Sequence, residues 1–403
     1  MRQSSARRLG RIRPKGRSVN KTFFLILVLG LLTACDSTET SSQSQPVDDA
    51  HGEPSSEVSD SPTVTTASFT DSANYFRQSA IASVLETQTQ CNLLFEDIAT
   101  FVSDASASHQ LNAQETFGLC LESWRRSELY FQKPFSYSEI KPFHELIDLI
   151  DTRPFLPGYI GGIPEYPYSG LVHELEIPLN ESTLRRQHRL MDEESPSLGF
   201  PVIEFLLWKA PIEGNWTLRG DESDVNVERR FNYLAVAASV LQEQINQAVI
   251  RWQSEQFNEL PERAQLNLVL QSFQRYVMID LLQFMFEETA LSDPEWHHYA
   301  LLSGSGRNYP VGMLQSVQSF VGQPGDSNAF TDWVNSIAAL SFSADELQQS
   351  VADSIAATEQ LPENYPLDTE ASEQWQLARS SVAAVSVYFV QLMRQFDTSL
   401  LLE

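Results

Sequence analysis

Asp192-Glu193-Glu194-Ser195-Pro196-Ser197-Leu198-Gly199-Phe200-Pro201-Val202-Ile203-Glu204-Phe205-Leu206-Leu207-Trp208 is the most informative stretch of the chain. Its first half is rich in turn-forming residues, and its second half is an apolar run interrupted by one carboxylate. Pro201 fits the first turn of a helix, where its missing N–H costs little. At helical spacing the neighbours of Glu204 are Phe200, Pro201, Leu207 and Trp208, all apolar. A carboxylate there is expensive to bury unless it is paired, hydrogen-bonded or neutralised. It is either a ligand or polar anchor in a bundle core, or a carboxylate steadied by the backbone amides and dipole of its helix N-terminus.

Outward from this stretch the periodicity is helical almost everywhere after Asp71, and no alternating strand pattern is convincing. Phe117, Cys120, Leu121, Trp124 and Phe131 share a stripe that Glu128 interrupts, making Glu128 a second candidate buried carboxylate. Leu234, Ala237, Leu241, Ile245, Ala248 and Trp252 form another. Trp375, Ala378, Val382, Val385, Phe389, Leu392 and Phe396 run at unbroken spacings of three and four. The stretch 262–289 behaves similarly. Connections rich in Pro and Gly fall at about 151–180, 211–222, 303–312 and 322–327. The first is long enough to be functional or packed over a site. These patterns predict an all-α fold of two packed helical bundles over residues 71–403, split near 258. Glu128 and Glu204 are expected to converge between bundle helices, with Asp151 or Arg153 supplied by the long loop.

Helices are predicted at about 72–105 and 112–133, with a turn near Ala107 to Leu111. Cys91 and Cys120 lie about equally far from that turn. Antiparallel packing brings them roughly level, as a disulfide requires in an oxidising compartment. The alternative is a pair of buried free thiols.

The N-terminus reads as an address. Eight Lys and Arg and no acidic residue precede Cys35, and an apolar segment from Phe23 to Ala34 ends at it. Twelve residues are too short for a comfortable spanning helix. Leu32-Thr33-Ala34-Cys35 resembles a bacterial lipobox, which implies a signal peptide over 1–34 and a lipid on the Cys35 thiol. Asp36 resembles the signal that retains such lipoproteins at the inner membrane, although the outer membrane stays open. Residues 36–70 hold seven acids, no Lys or Arg, and Phe69 as their one aromatic. They cannot bury enough apolar surface to offset ordering entropy and read as a disordered tether. Beyond the leader, 19 basic residues face 53 acidic ones. Nucleic acid is therefore not an expected partner, because phosphate binding needs a basic surface.

The quoted stretch resembles the signature of the imelysin family, G-x-H-x-x-E followed by an apolar tail ending in an aromatic. Gly199, Glu204 and Phe205 to Trp208 match, whereas Pro201 occupies the histidine position. The Trp124 helix, the loop Ile150-Asp151-Thr152-Arg153-Pro154 through Ile160, and the segment Pro310 to Gly322 resemble further family features in the expected order. The resemblance implies two helical bundles, export with lipid anchoring, and a link to iron regulation or uptake. It also implies a metal site at the histidine and glutamate, described in some members as a metallopeptidase centre.

Pro201 argues against that chemistry. A zinc hydrolase needs about three protein ligands and a general base, and proline supplies neither. No H-E-x-x-H occurs, and no nucleophile-elbow, Walker or dinucleotide signature is present. His144, His173, His188, His297 and His298 are the available replacements, each more simply a surface or satisfied residue. His173 lies in the long loop, and Glu295 and His298 stand three apart as in one half of a di-iron motif. Trp124 and Trp208 read as core. Ser303 to Arg307 reads as a short flexible connection. The expected ligand set is therefore Glu204, Glu128, Asp151 and His173, for iron or another divalent metal. The leading expectation is a membrane-tethered periplasmic binding component of metal acquisition, with membrane transport or uptake proteins as partners. A metallopeptidase and a non-catalytic scaffold lipoprotein are the alternatives.

Overall fold

The computed structural model describes residues 69–162, 166–209, 224–286, 302–304, 306–363, 365–366 and 372–398. Cys35, Asp36, most of the expected tether, Glu295, His297 and His298 lie outside them. The chain divides into two units, Met1–Ser61 and Pro62–Glu403, and the described residues all belong to the second. They form twelve α-helices and no β-strand. None of these helices is long and apolar enough to cross a membrane.

The first half is framed by α1 (Thr70–Ser103), α2 (Ala107–Ser127) and α7 (Asp224–Gln253), with α2 and α7 both packed on α1. The α1–α2 turn is only Asp104 to Ser106, earlier than the pattern predicts. Ser106 ends it by accepting the His109 N–H, an N-cap that starts α2 at once. At the other end α2 tightens into a 3₁₀ turn, Glu128–Phe131, instead of running on as α-helix to 133. Cys91 and Cys120 are joined as a disulfide, with their Cα atoms 4.5 Å apart. Helix α1 also begins inside the expected tether. The Phe69 ring packs edge-on against Trp333 at 4.8 Å, and its N–H donates to Glu262 Oε1 at 2.6 Å. Its buried ring places this residue in the folded body.

Of the short helices α3 (Ile140–Ile150), α4 (Pro157–Ile160), α5 (Glu181–Gln187) and α6 (Phe200–Trp208), α3, α5 and α6 pack on α7, α6 also packs on α2, and α4 packs on α6. The loop between α4 and α5 is stapled to α7 by Arg229. Its guanidinium donates to the carbonyls of Leu171, Val172, Glu174 and Ile177 at 2.8–3.0 Å. Gly199 caps the start of α6 at φ +95°, where an added Cβ would lie 2.8 Å from the Ile150 carbonyl oxygen. Glycine is needed there on both counts, conformation and close approach.

The second half begins with α8 (Glu262–Gln274), which widens into a π-helix over Arg275–Met285, a departure from plain α periodicity. It continues through α9 (Asn308–Val321), α10 (Ala329–Ser336), α11 (Ala344–Thr358) and α12 (Glu373–Gln395). Capping boxes at Asn328/Thr331 and Ser343/Glu346 fix the starts of α10 and α11. The division expected near 258 falls in the link between α7 and α8. The halves share one continuous core, because α9 packs on α2 while α8 and α10 pack on α1. Phe76, Phe273 and Phe320 meet at this seam with ring centroids 5.0–6.3 Å apart.

Candidate functional site

Single hydrogen bonds such as Ser72 Oγ to the Ala329 carbonyl cross the seam between the halves, and near the C-terminal end of α2 a chain of charged side chains crosses it. Arg125 is its hub, with 1% of its surface exposed. One guanidinium nitrogen donates to Glu128 and another to Asp151 Oδ2. The guanidinium lies over the Tyr309 ring, 3.8 Å from its centroid, and the Arg125 carbonyl accepts the Tyr276 hydroxyl at 2.6 Å. An arginine this deep is tolerated because planar guanidinium hydrogen-bonds in its plane and stacks on its face.

From Asp151, at the C-cap of α3, the chain runs to Arg153 and then to Glu204. Arg153 Nε lies 3.8 Å from Asp151 Oδ1, and Arg153 Nη2 lies 3.6 Å from Glu204 Oε2. Glu204, 2% exposed, spends its other oxygen across the seam, where Oε1 accepts the Ser303 backbone N–H at 2.9 Å. Glu204 is the fifth residue of α6, past the first turn. Its partners are a loop arginine and a backbone amide from the other half, not the amides of its own helix.

The opposite end of the chain is short of positive charge. Gln132 Nε2 donates to Asp280 Oδ2 at 2.8 Å and to the Glu128 carbonyl at 3.0 Å, bridging the 3₁₀ turn to the π-helix. Burial raises the Glu128 carboxyl to about 8, outweighing Arg125, and the charges of Asp151 and Asp280 push the same way. Burial likewise raises Asp280 to about 6 against the pull of Arg275. This end therefore holds a proton near neutral pH.

Beside the chain, His188 braces the loop that leads into α6. Its Nδ1 accepts the Ser197 N–H at 3.3 Å, and its Nε2 faces Asp148 Oδ2 at 3.3 Å. Burial alone would raise the Asp148 carboxyl, but the hydrogen bond and charge of His188, with Thr152 and Arg189, hold it below the usual value.

Of the expected ligands, the structure brings Glu128, Asp151 and Glu204 into one network and leaves His173 out. His173 sits on the long loop, with Nδ1 3.1 Å from Asn226 Nδ2 and its ring edge-on to Tyr168. Pro201 sits in the first turn of α6, buried among apolar neighbours. Trp124 is core, and Trp208 packs edge-on against Phe117 at 5.4 Å. His144 lines an open cleft. The residues fit a tightly held resident metal poorly. Asp151 and Glu204 already carry arginines, Glu128 favours a proton, and no group of three His, Cys, Asp or Glu suited to a metal forms among the described residues.

Arg125, Gln132, Tyr276, Asp280, Ser303 and Tyr309 are the members of the network that the sequence did not point to. Asp280 carried a usable signal, since it interrupts the buried run of Tyr276, Val277 and Leu281 just as Glu128 interrupts its stripe. Ser303 carried none, because its contribution is a backbone N–H. Its segment is part of the network rather than an idle connection.

No family model and no curated protein matches the sequence. Among solved structures, an imelysin-like protein from Psychrobacter arcticum 273-4 superposes with a TM-score of 0.57 at 15% identity, covering 81% of this chain and 96% of that one. A protein from Parabacteroides distasonis ATCC 8503, described as an iron-regulated protein A precursor, gives 0.51 at 12% identity, covering 81% and 95%. At such identities the likeness speaks for the fold: this chain has the imelysin-like fold.

Proposed function

We propose that the protein is a non-catalytic, imelysin-type binding component of iron or other metal acquisition, tethered through a lipid on Cys35 and facing the periplasm. The observation that carries the non-catalytic reading is the engagement of Glu204. One oxygen accepts the Ser303 N–H, the other faces Arg153, and the side chain is buried, which favours a structural anion over a general base or ligand presented to a substrate. Pro201 beside it supplies no donor atom. The metal reading is supported by the fold shared with the protein described as iron-regulated. The metal is cargo in this account, carried with small-molecule ligands of its own or passed to a membrane transport partner. The basic leader, the lipobox-like ending at Cys35 and the acidic stretch after it support the tether. Asp36 favours the inner membrane.

The test is native mass spectrometry with elemental analysis of the full chain purified without chelators. A stoichiometric metal or metal-bearing small molecule is the expected result. A chain with nothing bound contradicts the reading and favours a scaffold lipoprotein. Proteolysis that is chelator-sensitive and lost in Glu204→Ala contradicts its non-catalytic part.

A further inference from the structure

Cys91 and Cys120 are joined where no reagent reaches them, for both residues are 0% exposed. Cys91 stands about 18 Å along α1 from its end at Ser103, so fraying of the α1–α2 turn does not extend to it. One turn before it, the Thr87 hydroxyl donates across the helix pair to the Ser123 carbonyl at 2.9 Å. One turn before Cys120, Phe117 meets Phe200 and Trp208 of α6 edge-on, with ring centroids 5.9 and 5.4 Å apart. Helix α7 packs on α1, and α6 packs on α2. Exposing either sulfur therefore means parting several helices rather than opening a loop.

We propose that this bond is made before α1 and α2 pack, so that the chain is the substrate of a disulfide-bearing thiol oxidant that meets it unfolded, and that packing then closes the bond to exchange. In the reaction, the thiolate of one cysteine attacks the oxidant's disulfide and releases one of its sulfurs as a thiolate. The thiolate of the other cysteine attacks the resulting mixed disulfide and releases the second. The chain gives up two electrons and two thiol protons, and the oxidant leaves with both sulfurs reduced. The mixed disulfide carries the oxidant on Cys91 or Cys120, and a close-packed interior has no room for it there. The reaction thus belongs to the unpacked chain and to an oxidising compartment. A separation of 29 residues keeps the entropic cost of bringing the two thiols together small in the unfolded chain. The inference goes beyond the metal-acquisition reading and stands without it, since it needs neither metal nor lipid.

The test uses the full chain, with dithiothreitol as reductant and oxidised glutathione as oxidant. Alkylation and peptide mass spectrometry read Cys91 and Cys120 separately from Cys35. In one arm, dithiothreitol is added to the oxidised chain in native buffer and at increasing urea. Reduction in native buffer is expected to be at least about 10³-fold slower than in unfolding urea, with the urea dependence of global unfolding. In the other arm, chain reduced in urea is diluted to refold, and oxidised glutathione is present from the start or added after refolding. Nearly complete pairing is expected from early addition, and pairing at least about tenfold slower from late addition. Reduction in native buffer at the unfolded rate, a urea dependence too shallow for unfolding, or equal pairing in both orders overturns the proposal. Each of these failures leaves the metal-content result untouched.

Discussion

The Ser303 backbone N–H donates to Glu204 Oε1 at 2.9 Å, and this bond joins α6 in the first half to the segment leading into α9 in the second. Glu204 thus acts as a clamp, and its substitution should read out as stability. Glu204→Ala leaves the Ser303 N–H without its acceptor and Arg153 short of a counter-charge. A loss of about 3 kcal/mol is expected in urea unfolding. Glu204→Gln keeps an acceptor and should lose less. Equal stability of wild type and Glu204→Ala would remove the clamp.

The proton-holding end of the network predicts a particular pH dependence. Glu128 and Asp280 have folded values of about 8 and about 6, above the usual carboxyl range, so the native state binds more protons than the unfolded one between them. Stability from these groups is complete below about pH 4 and is lost as the pH rises through 6 and then 8, by on the order of a few kcal/mol. Glu128→Gln should flatten the upper part of that fall. Unfolding free energies from pH 5 to 9 in both proteins check it.

The disulfide closes a separation of 29 residues across the α1–α2 hairpin. Reduction, or Cys91→Ala with Cys120→Ala, should destabilise the chain by about 3–4 kcal/mol on chain-entropy grounds. Denaturant unfolding with and without reductant measures this directly.

Gly199 combines a positive φ with backbone contact at Ile150. Gly199→Ala is expected to cost about 2 kcal/mol. It should also loosen the α3–α6 junction, read as faster amide exchange in residues 200–208.

Much of the fold was legible because apolar spacing is a local property. The stripes Leu234 to Trp252 and Trp375 to Leu392 are buried along their length. Boundaries were less legible. The N-cap at Ser106 and the 3₁₀ tightening at Glu128 depend on a few hydrogen bonds that periodicity does not record. The π-helix at Arg275–Met285 was also hidden, because it shifts register within an apolar run. At the site, Glu128 and Glu204 stood out as carboxylates in apolar surroundings, and Asp151 followed from its loop. Their partners did not stand out. Arg125 sits on a helix where an arginine is ordinarily taken for a surface residue. Ser303 acts through its main chain, which any residue except proline provides. His173 drew attention by residue type alone, and its loop carries it to Asn226 instead.

The central claim, a tethered binding component of metal acquisition, is tested most directly by radiolabelled iron uptake in cells grown under iron limitation. Cells lacking the gene are compared with cells expressing the wild-type chain or Cys35→Ala. The account predicts uptake that falls without the protein, recovers with the wild type, and recovers poorly when the lipid-accepting cysteine is removed. Uptake that is the same in all of these cells would contradict it.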